Sequence, residues 1–210
     1  ELLKNETDIG LVRQHAGMAT AWDLVAQGCW QFHQFSRETQ LRARELIRQA
    51  QQLDPDLVDA RIWLSRVDTG LLAFEWADDP DEVRREGMEA ALAAIRMDRS
   101  NCYAYYALAL ANVYTESFAA ALRAAEKAVS LSPSFALGHI ALGMATLFSG
   151  DAPGAIPPFE RGLELNRNDP HSFHWHNALA LARLFSGDAD GAKQAALMSL
   201  RVRPQWRAAM

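Results

Sequence analysis

The sequence predicts an all-α protein, a right-handed superhelical solenoid of about five helix–turn–helix repeats. Three segments of 34 residues, 102–135, 136–169 and 173–206, each contain an apolar helical half, a polar break and a second helical half. Small residues recur at fixed places in both halves, and small side chains let paired helices approach closely. These small residues are Ala109, Gly143 and Ala180 in the first halves and Ala121, Ala155 and Ala192 in the second.

This layout and period resemble the tetratricopeptide repeat (TPR). That repeat places a proline near its end, where Pro133 and Pro204 stand in the third and fifth units, whereas Arg167 replaces it in the fourth. Proline there ends a helix, because the residue before it avoids helical dihedral angles. The resemblance implies stacked helix pairs with a concave inner groove.

Two longer repeats precede these three, at about 21–57 and 58–101, so the solenoid is predicted to span residues 21–204. We expect a long turn at HQFSRETQ in the first and about ten extra linking residues around LLAFEWADDPDEV in the second. Residues 1–20 are interpreted as a lead-in helix and link from a missing upstream domain, and residues 205–210 as the start of a truncated further repeat. Three prolines in GDAPGAIPPFERG predict a fourth second helix that starts late or bends.

A closer family resemblance covers nearly the whole chain. It is carried by AWDLVAQGCWQFHQFSRET, ARELIRQAQQLDPDLVDA, FEWADDPDE and the stretch from AIPPFERG to SLRVRP. These stretches resemble the carboxy-terminal repeat region of a bacterial family in which the repeats follow a class III adenylate cyclase domain or a winged-helix DNA-binding domain. The resemblance implies a regulatory or scaffolding module of a cytoplasmic signalling protein. No residue of either upstream domain can be carried over to this chain.

Composition narrows the function classes. The net charge is −5 without a basic stripe, which argues against nucleic-acid binding by this chain. No apolar run reaches the length of a membrane span. Cys29 and Cys102 are far apart, which favours a reducing compartment over a disulfide framework. The sequence contains no nucleophile elbow, phosphate loop or dinucleotide fingerprint, so we predict no enzyme activity and no cofactor.

Two clusters invite a metal-site interpretation. In DDPDE, Asp79 and Pro80 instead predict a helix start, because the spacing lacks the alternating ligands and glycine of a calcium loop. In HSFHWH, we expect a helix that begins around His171 after an Asp169 N-cap, which points His174 and His176 in different directions. No metal site is therefore predicted, although a His-based enzyme stays a third hypothesis beside the cyclase and transcription-regulator modules.

The concave groove is the predicted binding site. Its lining is apolar and aromatic, and it suits an apolar or amphipathic helix of a partner protein, another segment of the same polypeptide or a second copy of the chain. The alternative, that neighbouring repeats bury this stripe, stays open. His174 is expected to make binding there pH-dependent. The predicted groove residues are Trp22, Val25, Phe32, Tyr103, Tyr106, Leu110, Tyr114, Ile140, Met144, Phe148, His174, Asn177, Leu181 and Phe185.

Overall fold

The computed structural model describes residues 20–205, which form ten α-helices. Each odd-numbered helix packs most extensively on the even-numbered helix that follows it, so the described residues contain five helix pairs. The predicted lead-in segment and further repeat lie outside the described residues, apart from Thr20 and Gln205. The helices are α1 Ala21–Gln34, α2 Arg37–Leu53, α3 Val58–Ala73, α4 Pro80–Met97, α5 Cys102–Tyr114, α6 Phe118–Leu131, α7 Ala136–Phe148, α8 Ala152–Leu165, α9 Ser172–Phe185 and α10 Ala189–Val202.

Polar side chains fix several helix starts. The Thr20 hydroxyl accepts a hydrogen bond from Asp23 N at 3.1 Å, and the Asp23 carboxylate accepts one from Thr20 N at 2.9 Å, which forms a capping box. Asp79 caps α4 by accepting from two backbone N–H groups, and Pro80 is the first helical residue. The prediction that DDPDE begins a helix is therefore confirmed.

Glycines allow the helices of a pair to pack closely. A Cβ added to Gly143 on α7 would lie 2.7 Å from the Cδ1 atom of Phe159 on α8, whose side chain is fully buried. A Cβ on Gly28 of α1 would lie 2.6 Å from Ile47 Cδ1 on α2. Both distances are far below van der Waals contact, so the spacing of these helix pairs depends on glycine.

The predicted long turn of the first repeat is absent, and that of the second repeat is shorter than predicted. Residues Phe35 and Ser36 alone separate α1 from α2, because Ser36 caps α2 immediately and its hydroxyl accepts from Thr39 N at 3.2 Å. Residues 74–79 link α3 to α4. The extra residues lie instead within the helices, since α2 has 17 residues, α3 has 16 and α4 has 18.

Two further helix starts differ from expectation. Helix α8 begins at Ala152, directly after Asp151, whose side chain accepts from Gly154 N at 2.9 Å. It does not start late, although Pro157 and Pro158 lie inside it and supply no backbone donors. Helix α9 begins at Ser172, one residue after the predicted start, because the Asp169 carboxylate accepts from His171 N at 2.8 Å and forms a turn ahead of the helix.

Apolar clusters lie along the stack of repeats. One contains Leu24, Ile47 and Leu64 of the first two repeats, and another contains Phe159 and Trp175 of the last two. Such a chain of local cores is expected where each repeat contacts its neighbours. Within residues 20–205, no helix is both long enough and apolar enough to cross a membrane.

A buried ionic network joins α2, α3 and α4. Arg44 on α2 donates to the fully buried carboxylate of Asp68 at 2.7 Å and to Glu86 at 2.9 Å. Arg48 donates to Glu82 and to Glu86, each at 2.7 Å. Burial raises the pKa of Asp68 to about 7, although Arg44 acts in the opposite direction. The network fixes the first repeat against the second at the expense of a desolvated carboxylate.

Candidate functional site: the axial cavity and its rim

The first repeat contacts the fifth. The ring of Phe35, in the α1–α2 turn, lies 4.9 Å from the ring of Phe173 and 5.6 Å from that of His171, both at the start of α9. The Arg203 guanidinium lies 4.6 Å from the Phe35 ring and 5.2 Å from the Phe173 ring, and its Nη2 donates to the Phe35 carbonyl at 3.3 Å. The described repeats therefore coil until their two ends meet.

A histidine pair forms part of this closure. The Nδ1 atom of His33 lies 3.0 Å from the Nε2 atom of His171, so one of these two nitrogens must be unprotonated to accept the hydrogen bond. Burial, together with smaller effects of His33 and Arg66, lowers the pKa of His171 to about 3. Burial and then Arg66 also lower the pKa of His33. Both shifts favour the neutral form of the ring.

The closed coil encloses an axial cavity of about 90 Å³. All five repeats contribute to its wall, with Phe32, Phe74, Tyr106, Met144 and His174 each coming from a different repeat. An α-helix with its side chains is about 10–12 Å across. The cavity itself is smaller than a helix, and the binding of a partner helix at the concave face stays a prediction.

One cation lies in the cavity wall without a carboxylate partner. The Arg66 guanidinium carbon lies 4.1 Å from the centre of the Trp63 ring, 5.4 Å from that of Tyr106 and 5.5 Å from that of Phe32. Among the described residues, no Asp or Glu oxygen lies within the 4.0 Å ion-pair distance of Arg66. Its Nε is buried and has no hydrogen-bond partner there. Aromatic faces partly compensate such a charge.

Gln40 supplies a buried acceptor beside this cation. Its side chain is 1% exposed, and its Nε2 donates to the Phe32 carbonyl at 2.9 Å. Its Oε1 is buried and has no partner among the described residues. A Cβ added to Gly70, one helical turn after Arg66, would lie 3.3 Å from this oxygen. Gln40 and Arg66 both line the cavity.

The predicted groove residues separate into three groups by exposure. The buried ones are Val25, Phe32, Tyr106, Ile140 and Met144; the half-buried ones are Leu110, Tyr114, His174 and Asn177; the exposed ones are Trp22, Tyr103, Phe148, Leu181 and Phe185. The cavity brings together seven of them: Phe32, Tyr106, Leu110, Tyr114, Ile140, Met144 and His174. Val25 instead packs in the core of the first two repeats. That these residues bind a partner stays a prediction.

An apolar surface continues from the cavity along α7 and α9. Phe148 follows the cavity residue Met144 by four positions, and Leu181 follows His174 by seven, so each lies on the same helix face. The exposed fractions are 48% for Phe148, 40% for Leu181, 54% for Leu184 and 70% for Phe185. We call these four residues the rim patch.

Sequence reasoning missed the polar part of the site. Applying the groove register to the second repeat would have found Arg66 and Thr69, which stand at the ninth and twelfth positions of α3 and line the cavity. No local signal identifies Phe35 and Phe74, which lie in turns, or the contact between His33 and His171 across 138 residues. Such contacts depend on the accumulated curvature of the coil.

The HSFHWH segment has three separate environments. His171 pairs with His33, His174 lines the cavity 5.3 Å from the Phe74 ring, and His176 is half-buried. Burial lowers the pKa of His174 to about 4. That His174 makes binding pH-dependent stays a prediction. Within residues 20–205, no group of three or more His, Cys, Asp or Glu side chains is arranged to hold a metal ion.

Comparisons with known proteins identify the fold. No protein-family model matches the sequence, and no curated protein sequence matches it. The solved structure of TTC0263, a thermophilic TPR protein of Thermus thermophilus, has a TM-score of 0.72 and 18% identity, over 90% of this chain and 95% of that chain. The structure of the human IFIT1 dimer with m7Gppp-AAAA has a TM-score of 0.77 and 15% identity, over 96% of this chain and 48% of that chain. YrrB is described as a TPR protein with an unusual peptide-binding site. Its structure has a TM-score of 0.52 and 17% identity, over 97% of this chain and 96% of that chain. The predicted all-α TPR solenoid is thus confirmed.

Proposed function

We propose that this chain is a non-catalytic protein–protein interaction module whose partner binds the rim patch. The observation that carries the proposal is the exposure of Phe148 and Phe185, which end the first helices of two successive repeats and stand before the same Ser-Gly-Asp turn. Equivalent positions of successive repeats form continuous surfaces in solenoids. Clustered exposed apolar side chains are typical of interaction sites. YrrB, which shares the fold, is described as having a peptide-binding site, which supports a peptide or protein ligand.

The partner is an apolar or amphipathic helix that lies across the ends of α7 and α9. Such a helix presents side chains every three to four residues, which suits apolar contacts spread over two neighbouring repeats. Phe148, Leu181 and Phe185 of the rim patch are exposed members of the predicted groove, as are Trp22 and Tyr103 elsewhere. The other occupants that the sequence suggested, a segment of the same polypeptide and a second copy of the chain, are outcomes of the test.

The test uses helical peptides selected from a display library against the chain. Phe185→Glu should weaken the binding of selected peptides by about tenfold or more, because it places a charge in a desolvated contact. Leu197→Glu is the control, since Leu197 is 48% exposed on α10 and lies outside the patch. Peptides that bind both variants equally would refute the rim as the site. Sedimentation of the chain without peptide shows whether a second copy binds instead. A selected peptide that matches a segment of this protein's full-length sequence would identify that segment as the ligand.

Buried Tyr106 is unsuitable for this test, although it is a predicted groove residue. Its side chain is 7% exposed, and burial raises its pKa. A glutamate there would place a charge in the cavity wall and change the fold as well as the binding. Exposed Phe185 separates the two effects.

The sequence resemblance alone supports the wider context. We infer that the module regulates or assembles a cytoplasmic bacterial signalling protein, with a class III nucleotide cyclase as the preferred effector and a winged-helix transcription regulator as the alternative. The coding sequence upstream of Glu1 discriminates them. Paired metal-binding aspartates would indicate the cyclase, and a basic recognition helix would indicate the regulator. An upstream sequence that contains neither signature would contradict this inference. It would not affect the proposal of an interaction module.

A further inference from the structure

We propose that the axial cavity binds a small organic acid that carries a hydroxyl or amino group next to its carboxylate. The cavity wall contains a cation among aromatic rings, a buried acceptor without a partner among the described residues, and apolar side chains. The proposal is independent of partner binding at the rim, because no residue of the rim patch lines the cavity.

Arg66 would bind the carboxylate. Its guanidinium is surrounded by three aromatic rings and has no described carboxylate within ion-pair distance. A guanidinium in a region of low dielectric constant favours a planar anion that accepts two parallel hydrogen bonds. Trp63 and Tyr106 hold the guanidinium in place, which reduces the entropy lost on binding.

Gln40 would accept the hydrogen bond of the second ligand group. Its Nε2 is committed to the Phe32 carbonyl, so its Oε1 requires a donor. A buried acceptor without a partner is costly, and a ligand O–H or N–H removes that cost. A simple fatty acid offers no such donor. A 2-hydroxy acid or a 2-amino acid offers the donor and the carboxylate on adjacent carbons.

The size of the cavity limits the rest of the ligand. One water-sized atom needs about 10–15 Å³ of this kind of volume, so the cavity holds roughly six to nine non-hydrogen atoms. Phe32, Met144 and Ile140 line it with apolar surface, which favours a short branched hydrocarbon as the remainder. His33 is exposed and Tyr114 is half-buried, so the cavity reaches solvent at its edges.

The cavity wall also contains three histidines and one carboxylate. The lowered pKa values of His171 and His174 favour their neutral forms. Asp169 is the acidic residue of the wall, and its two oxygens already accept from His171 N at 2.8 Å and from Asn166 Nδ2 at 3.0 Å. Asp169 would attract the ammonium of an amino acid, whereas Arg66 attracts the carboxylate of either class. A comparison of the two classes therefore measures the influence of Asp169.

Calorimetric titration of the whole chain with four probes of similar shape tests the proposal. The probes are 2-hydroxyisovalerate, L-valine, isovalerate and the neutral isovaleramide. We expect 2-hydroxyisovalerate or L-valine to bind more tightly than isovalerate. Isovalerate should in turn bind at least about tenfold more tightly than isovaleramide, because the amide loses the charge-assisted contact with Arg66. Equal binding of isovalerate and isovaleramide, or no saturable binding of any probe, would overturn the proposal.

Two variants assign the contacts. Arg66→Met should weaken every acidic probe by about tenfold or more, whereas Arg61→Met should leave binding unchanged. Arg61 is a matched control, because it lies on the same helix outside the cavity wall and its Nη2 donates to the Pro55 carbonyl. Gln40→Met should remove the preference for 2-hydroxyisovalerate over isovalerate. Unchanged affinity in folded Arg66→Met contradicts the proposal, and if that variant fails to fold, the comparison of acid and amide on the unaltered chain decides.

Discussion

Replacing His174 with glutamine should reduce the acid-induced loss of stability by about 2 kcal/mol between pH 7.5 and pH 5. The imidazole has an ordinary pKa of 6.5 in the unfolded chain and a pKa of about 4 in the folded cavity, because burial disfavours its charged form. Its stability contribution is therefore complete above pH 6.5 and is lost as the pH falls towards 4. At pH 5, protonation of this imidazole stabilises the unfolded chain by a factor of about 30 and scarcely stabilises the folded chain. This difference gives the stated magnitude.

Urea unfolding followed by far-ultraviolet circular dichroism at the two pH values measures this effect. Asp68 acts in the opposite sense, because its raised pKa of about 7 makes its contribution decline as the pH rises from 3.8 through 7. Asp68 is the same in both proteins and cancels when the variant is compared with the parent chain. Equal pH dependence in the two proteins would refute the burial of His174.

Two further predictions concern packing and charge. Gly143→Ala should lower the free energy of unfolding by about 1–3 kcal/mol, because the added methyl group meets the buried ring of Phe159; an unchanged urea midpoint would show that the ring can move aside. Arg44→Met should destabilise the chain by about 3–5 kcal/mol at pH 8, because it leaves the Asp68 carboxylate buried without its partner. The same variant should lose less free energy of unfolding at pH 5, where Asp68 is protonated. A destabilisation independent of pH would contradict the raised pKa of Asp68.

Local sequence signals predict the repeats well. The period, the small residues at Gly143 and Ala155 and the Asp79 cap all report contacts between residues near in sequence, within one helix pair or one helix start. The turn at HQFSRETQ was overestimated because its polar residues resemble a loop, whereas Ser36 and Thr39 form a capping box that starts α2 at once.

The site is less predictable, since its parts come from distant repeats. Periodicity places Tyr106 and Met144 on the inner face and would place Arg66 there as well. It cannot say whether that face is open, because the meeting of Phe35 with Phe173 depends on small rotations summed over five repeats. Tyr106 is buried and Phe185 is exposed in the closed coil. The sequence does not separate the two residues, because it predicts both to line the groove.

The distance between spin labels at Gln34 and Asn168 measures whether the first repeat contacts the fifth. Both positions are exposed, and each lies within three residues of the His33–His171 contact. Cys29 and Cys102 would first be replaced by serine so that the labels attach at the two chosen sites. Pulsed electron resonance should give one short, narrow distance distribution, and Phe35→Ala should broaden it by removing the ring between the two repeats. A long distance distribution in the unaltered chain, unaffected by Phe35→Ala, would show an open solenoid and contradict the closed coil.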